Sequence, residues 1–103
     1  MGRSPGLVTI AILKSIRSGH VYGADIVETT GLGGGTVYKT LSRLEERGWI
    51  SGEWEDAQVA EEERRPRRRF YELTPEGVEA TCAAEARALR LVGPPEAAGA
   101  DGR

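Results

Sequence analysis

The segment from Gly31 to Leu73 constrains the fold of this 103-residue chain more than any other. Its pattern predicts a turn, a helix, a strand, a charged loop and a second strand, and the loop carries five arginines within positions 64–69. A helix that begins in a glycine turn and is followed by a hairpin with an arginine-rich tip is typical of a winged helix-turn-helix. This arrangement predicts double-stranded DNA as the partner, with the helix in the major groove and the hairpin on the backbone.

Apolar periodicity and helix-capping residues predict four helices around the hairpin. The predicted helices are Pro5 to Arg17, Tyr22 to Thr30, the glycines at 33–35 to Arg47, and Thr74 to about Val92. The predicted class is therefore α+β and mostly helical, with a winged helix-turn-helix in residues 1–73. Residues 74–92 form a C-terminal helix, and the Ala/Gly/Asp tail at 93–103 is expected to be disordered.

The hairpin is predicted from two strands, at 49–54 and 68–73, joined by a polar loop at 56–66. The second strand alternates as a half-buried strand should. This alternation predicts that Tyr71 and Leu73 face the core, and we expect Phe70 to cover Trp54 across the hairpin. In the loop, we expect the glutamates at 61–63 to pair with the neighbouring arginines while the loop is mobile.

The distribution of charge supports a DNA-binding surface although the formal net charge is -2. Eight of the 14 basic residues lie between Thr36 and Phe70. A local basic patch, rather than the global charge, determines attraction to phosphates. A charged run can also be an ordinary solvated surface, so the arginines alone do not decide the partner.

Several other functions find no support in the sequence. The single cysteine, Cys82, excludes an internal disulfide, suits a cytoplasmic protein, and is expected to be buried filler in an alanine-rich helix. His20 has no second histidine or paired cysteine near it, so a zinc site is not expected. The apolar run at 7–13 is too short to span a membrane. No catalytic constellation is visible, so we expect neither an enzyme nor a cofactor.

The third helix carries the residues that would read DNA. Val37, Leu41 and Leu44 form its apolar seam. Lys39, Ser42, Arg43 and Glu46 lie on the opposite, polar side, where the rival role for Arg43 is an intrahelical pair with Glu46. Gly34 and Gly35 would bring free backbone amides of the first turn close to a phosphate, although these glycines are equally consistent with a flexible turn. Thr36 and Tyr38 either contact DNA or serve as a cap and a packing aromatic.

The chain resembles the PadR family of winged helix-turn-helix transcriptional regulators, short form. The resemblance covers roughly residues 7–80 and rests on several short motifs. These are Tyr22-Gly23, Gly35-Thr36-Val37-Tyr38, Leu41, Arg43-Leu44-Glu45, Gly48-Trp49-Ile50, Trp54-Glu55, Arg68-Arg69-Phe70-Tyr71, Leu73-Thr74 and Gly77. The resemblance implies a bacterial, cytoplasmic, homodimeric regulator, usually a repressor that binds an inverted repeat.

Carried over to this sequence, the resemblance implies three groups of DNA contacts. The recognition helix would contribute Thr36, Tyr38, Lys39, Ser42 and Arg43; the start of the second helix would contribute Tyr22; and the wing would contribute Arg67 and Arg68, to which the arginine run adds Arg65.

The resemblance also implies dimerisation through the C-terminal helix, against the N-terminal helix. The apolar residues available for it are Leu7 and Ile10 in the first helix and Val78, Cys82, Leu89 and Val92 in the last. The sequence departs from the family pattern at Gly33, where a serine is common. It departs again in the last helix, which has no aromatic residue, so a small-molecule inducer is not evident.

Two other functions compete with DNA binding. A winged helix can serve as a protein-interaction or assembly module, since fold alone does not determine function. Such a module should show exposed apolar residues on the third helix, where this chain has Lys39, Ser42 and Arg43. RNA binding is weaker still, because no open sheet with stacking aromatics is expected.

Overall fold

The computed structural model of the chain describes residues 6–92. Five α-helices and two strands follow in the order α1 (Leu7–Arg17), α2 (Gly23–Thr30), α3 (Gly34–Arg47), β1 (Ile50–Trp54), α4 (Ala57–Glu62), β2 (Arg69–Leu73) and α5 (Pro75–Val92). The two strands form an antiparallel hairpin. No helix in the described range is long and apolar enough to cross a bilayer. The predicted mostly helical winged helix-turn-helix is confirmed.

The core lies between the first three helices and the inner face of the hairpin. Its buried members are Ile12, Leu13, Ile16, Ile26, Val37, Leu41, Leu44, Ile50 and Tyr71. The apolar seam predicted for the third helix is thus confirmed, because all three of its residues are buried. Tyr71 faces the core as predicted, and Leu73 packs against it in a partly buried position.

Glycines end two of the helices in the left-handed conformation that favours them. Gly31 closes α2 at φ 73°, and Gly48 closes α3 at φ 81°. The first helix begins at Leu7 after Gly6, while Pro5, the predicted start, lies outside the described residues. The predicted tail at 93–103 lies outside them as well.

The prediction of an irregular polar loop at 56–66 is wrong for residues 57–62, which form the short helix α4. The side chain of Asp56 accepts a hydrogen bond from the amide of Gln58 at 2.7 Å and caps this helix. Ala60 is buried on its inner face, and Arg64 follows the helix with φ 56°. Packing and capping together stabilise a segment that is too short to form a helix alone.

Two expected side-chain positions also need correction. Phe70 lies opposite Glu53, whereas Trp54 lies opposite Arg69, so Phe70 and Trp54 are on different faces of the hairpin. Phe70 instead packs edge-on against Tyr22, with ring centroids 6.3 Å apart. Cys82 is exposed rather than buried, because the inward side of α5 is occupied by Thr81 and Ala84.

The C-terminal helix is attached to the domain at its first turn and at its middle. The hydroxyl of Thr74 donates a hydrogen bond to the carbonyl oxygen of Gly48 at 2.6 Å. The same hydroxyl accepts a hydrogen bond from the amide of Gly77 at 3.0 Å. Two turns further along, Glu85 forms a bidentate ion pair with Arg17 of α1, in which Nη1 and Nη2 lie 2.9 and 2.7 Å from the two carboxylate oxygens. This hydrogen bonding holds the pKa of Glu85 below its usual value.

Candidate nucleic-acid interface

The exposed side of α3 is polar and carries the cationic side chains of Lys39 and Arg43. Burying Val37, Leu41 and Leu44 turns the opposite side of the helix to solvent. The side chains predicted to read DNA are all exposed there: Thr36, Tyr38, Lys39, Ser42 and Arg43. The helix is therefore oriented as the sequence predicts.

The cations of α3 are available to an external ligand. Among residues 6–92, no ion pair engages Lys39 or Arg43. Together with Gly35 and Thr36, these two side chains border an open depression of about 540 Å³. Its walls also include Val8 of α1, which adds a small apolar contact. A depression bordered by two cations and the first turn of a helix can accept a phosphate or the edge of a base.

The first turn of α3 presents backbone donors without a competing side chain. Gly33 occupies the N-cap position and provides no side-chain hydrogen bond. Gly34 and Gly35 follow as the first helical residues, and a β-carbon at either one would meet nothing within 4 Å. The free amides and the positive end of the helix dipole therefore face open space.

Tyr38 is positioned by a close approach to α2. A β-carbon at Gly23 would lie 2.5 Å from the Tyr38 ring, so only glycine at that position lets the ring pack against the helix backbone. About half of the Tyr38 surface remains exposed. Its ring is therefore held in place while its other face stays accessible.

The wing is organised around Glu55, a residue of the Trp54-Glu55 motif to which the sequence assigned no contact. Glu55 directly follows β1 and is 6% exposed. Its carboxylate binds Arg65 through both oxygens, one of them at 2.8 Å from Nη2. The carboxylate also accepts a hydrogen bond from the backbone amide of Arg68 at 3.3 Å. The backbone carbonyl oxygen of Glu55 accepts a hydrogen bond from Nε of Arg67 at 2.8 Å. One acid thus fixes three arginines of the wing.

The cluster that Glu55 forms with Arg65, Arg67 and Arg68, the Glu55 cluster, affects the ionisation of the carboxyl. It also affects how freely each arginine can bind a phosphate. Hydrogen bonding from Arg65, supported by the amide and guanidinium of Arg68, lowers the pKa of Glu55 to about 2. Arg65 is neutralised by this pair, so it has less charge to offer a phosphate than its neighbours. Arg67 and Arg68 are exposed, and their guanidinium groups keep most of their donors.

The start of α2 joins the same surface. The guanidinium of Arg68 lies 3.8 Å from the centroid of the Tyr22 ring, a stacked cation–π contact. The hydrogen bond from the Tyr71 amide to the Val21 carbonyl, at 2.9 Å, ties this segment to β2. The structure therefore brings Tyr22, the wing arginines and Tyr38 to one side of the molecule.

Four residues that the sequence places in family motifs without assigning them a contact also contribute to this surface: Gly23, Trp54, Glu55 and Arg69. Arg69 donates to Glu45 of α3 at 2.8 Å and lies 5.4 Å from the ring centroid of Trp54. These contacts fix the wing relative to α3. The expected pairing of the glutamates at 61–63 with the arginines is wrong, because Arg65 and Arg68 pair with Glu55.

The residues predicted for dimerisation lie on α1 and α5, which pack together, and Ile10 and Leu89 border the same pocket. Val78, Cys82 and Leu89 follow one stripe of α5, because positions four and seven residues apart share a helix face. Leu7 and Ile10 lie on α1, where Leu7 is 83% exposed and Ile10 is partly buried. The side chain of Val92 lies outside the described residues.

Comparison with known proteins gives both a family match and structural matches. The model of the "Transcriptional regulator PadR-like family" matches residues 12–82. A search of curated proteins found no match. A PadR family transcription regulator from hypervirulent Clostridium difficile is 25% identical, with a TM-score of 0.70 over 84% of this chain and 91% of that one.

Two further solved structures have the same fold. A PadR-like transcription factor from Bacteroides fragilis is 25% identical, with a TM-score of 0.72 over 84% of each chain. BpsR from Bordetella bronchiseptica is 18% identical, with a TM-score of 0.70 over 86% of this chain. The present chain covers only 63% of the length of BpsR.

Proposed function

The chain belongs to the PadR-like family of transcriptional regulators, and from that premise we propose that it represses transcription by binding an inverted repeat in double-stranded DNA as a homodimer. Members of this family are regulators and not enzymes. Residues 1–73 bind the DNA, residues 74–92 form the dimer, and the protein acts in the cytoplasm.

The observation that carries this proposal is the exposed side of α3. Lys39 and Arg43 stand there beside Thr36, and within the described range neither cation has an ionic partner. Unpaired cations next to a helix N-terminus are what phosphate and guanine edges require. A protein-interaction module would instead need large apolar side chains, and Tyr38 is the one exposed large hydrophobic residue of α3.

The wing supplies the second, less selective contact. Arg67 and Arg68 lie on the same side of the molecule as Tyr22. Arginine contacts to the phosphate backbone position a protein on DNA without reading the base sequence. In a two-fold symmetric dimer the two α3 helices would enter successive major grooves, about 34–36 Å apart. The half-sites of the operator should then be centred about one helical turn apart.

Selection of fragments from a random DNA pool by the purified protein tests the proposal. We expect enrichment of an inverted repeat whose half-sites are about 10 base pairs apart. Lys39→Gln combined with Arg43→Gln should abolish the enrichment, while Arg47→Gln, at the far end of the same helix, should preserve it. Recovery of no preferred sequence by the wild-type protein would contradict sequence-specific binding, and a single unrepeated site would contradict the dimeric arrangement.

A further inference from the structure

The open depression beside the cations of α3 has one wall that comes from a different helix. Five of its lining residues belong to α3: Gly35, Thr36, Lys39, Thr40 and Arg43. The sixth is Val8, in the first turn of α1. Thr40 is 5% exposed, so the depression reaches down to the edge of the core. An apolar side chain of α1 therefore stands directly beside the two cations that are proposed to contact DNA.

Helical periodicity explains why Val8 reaches α3. Val8, Ile12 and Ser15 follow one face of α1, because residues four and seven positions apart share a helix face. Ile12 and Ser15 are buried, whereas Val8 is 37% exposed, since at the first turn this face passes the edge of the core. Ile10, which borders the pocket between α1 and α5, lies about 200° around the helix from Val8. Val8 is therefore turned away from the pocket that α1 shares with α5.

The methyl groups around the depression correspond to one particular group on the bases of DNA. Val8, Thr36 and Thr40 all carry methyl groups, and the Val8 side chain ends in two of them. In the major groove the apolar base substituent is the thymine 5-methyl, whereas the other base edges present hydrogen-bonding groups. A phosphate could bind Lys39 and Arg43 but would gain nothing from Val8. A valine is also stiff at χ1 in a helix, so it loses little freedom on contact.

We propose that Val8 is a specificity-determining residue that packs against the 5-methyl group of a thymine in the operator. Lys39 and Arg43 then bind phosphate or base edges next to this thymine, and Val8 supplies the preference for thymine itself. The inference rests on the proposed function, because it requires α3 to lie in the major groove. It adds a base contact from α1, a helix to which the sequence assigns only a role in dimerisation.

Removing the methyl group from the DNA tests this contact without changing the protein. In duplexes that carry the selected operator, each thymine of one half-site is replaced in turn by uracil, which pairs with adenine but lacks the 5-methyl group. At one of these positions the wild-type protein should bind the uracil duplex roughly fourfold more weakly, the effect of leaving one methyl-sized group unburied. Equal binding of the thymine operator and of every uracil duplex would overturn the proposal.

Val8→Ala and a matched control assign the contact to a side chain. Val8→Ala should bind the thymine operator more weakly and should no longer distinguish it from the uracil duplex. Val59→Ala removes the same two methyl groups from α4, where the valine is 42% exposed and does not line the depression, so it should keep the preference. A defect in folding or dimerisation would weaken binding to both duplexes equally and leave their ratio unchanged. An unchanged ratio in Val8→Ala, or equal loss of it in both variants, would refute the assignment.

Thr36 is the competing source of a preference for thymine, because its methyl group lines the same depression. Thr36→Ser removes this methyl group and keeps the hydroxyl. If Thr36→Ser loses the preference while Val8→Ala retains it, α3 alone reads the methyl group and the inference about Val8 is wrong. An operator without a methyl-sensitive thymine would refute only this inference and leave the proposed function standing. If the wild-type protein selects no DNA sequence at all, the proposed function fails, and the inference fails with it.

Discussion

Gly77 is the residue at which the fold leaves the least room for a side chain. A β-carbon there would overlap the carbonyl oxygen of Trp49. That oxygen cannot move freely, because it accepts the Thr74 amide at 3.0 Å. The absence of a side chain at Gly77 therefore lets the first turn of α5 rest directly on the end of α3 and the start of the hairpin.

We predict that Gly77→Ala destabilises the protein by about 1–3 kcal/mol or more, the cost of overpacking a close contact. Gly35→Ala is the matched control, because its β-carbon meets nothing within 4 Å and alanine favours a helix by about 0.5–1 kcal/mol. Chemical denaturation of the two variants should give shifts of opposite sign. Equal stability of Gly77→Ala and the wild-type protein would show that α5 can move away from Trp49.

A second prediction at the residue scale concerns Arg43. If its guanidinium reads a base edge, Arg43→Ala should cost about 1–3 kcal/mol on the preferred DNA and relax the preference at one base pair. Arg67→Ala, in the wing, should weaken binding to every sequence alike and lower the salt dependence. Binding titrations with selected and scrambled duplexes separate the two effects. A uniform loss for Arg43→Ala would mean that it contacts only the backbone.

Among the elements, the wing is the one whose order depends on a single acid. Glu55 binds Arg65 and Arg68 through its carboxylate and Arg67 through its carbonyl oxygen. Without the carboxylate, the guanidinium groups of Arg65 and Arg68 would lose their shared anchor and repel each other. The arrangement of the hairpin tip is therefore linked to the ionisation of this group.

We predict a pH dependence of stability that originates at Glu55. The folded-state pKa of about 2 lies below the usual 4.5, so the ionised form stabilises the fold. This contribution is fully present above about pH 4.5 and is lost as the pH falls towards 2. Glu55→Gln should melt at a lower temperature than the wild-type protein at neutral pH, and the difference should shrink in acid.

Thermal unfolding followed by circular dichroism between about pH 2 and pH 7 measures this difference. Glu53→Gln is the control: Glu53 is exposed on the same strand, and no ion pair within residues 6–92 involves it. Its melting temperature should follow that of the wild-type protein at each pH. A pH-independent deficit in Glu55→Gln would mean that the side chain stabilises the wing by packing alone.

The elements that could be predicted from the sequence are those whose signals are local. The seam of Val37, Leu41 and Leu44 and the closing Gly48 lie within one helix, and they predict both its bounds and its exposed side. The Glu55 cluster joins an acid to arginines 10 to 13 residues away, so burial of Glu55 depends on tertiary structure. Trp54 and Arg69 share a face of the hairpin because the strand register pairs them. The sequence does not specify this register, because the connection between the two strands is long.

At the scale of the whole molecule, the formal net charge of -2 conceals a separation of charge. The cations of α3 and the wing lie on the surface proposed for DNA, whereas Glu85 of α5 pairs with Arg17 and Lys14 of α1. Exposed pairs of this kind contribute only about 0–1 kcal/mol. Their main effect is to orient α5 along α1, which fixes where its free side points.

An exposed apolar stripe on α5 leads to the last prediction, that the protein is a dimer held by this helix. Val78 and Leu89 are each 43% exposed and share a stripe with Cys82. Burial of a leucine contributes about 1.5–3 kcal/mol. In a two-fold symmetric dimer, the Leu89 side chains of both subunits would be buried. Leu89→Asp should therefore weaken the dimer by roughly 100-fold or more. DNA affinity should fall as well, because each half-site is then bound by a separate monomer.

Ala83→Asp provides the control, because it adds the same carboxylate to an exposed position of α5 away from the stripe. Light scattering at several concentrations should find the wild-type protein and Ala83→Asp as dimers and Leu89→Asp as a monomer with unchanged helix content. Retained helix content matters, since it shows that the charge disrupts association rather than folding. A wild-type protein that stays monomeric at tens of micromolar would contradict the proposed interface, and the two half-sites of an operator would then have to be bound independently.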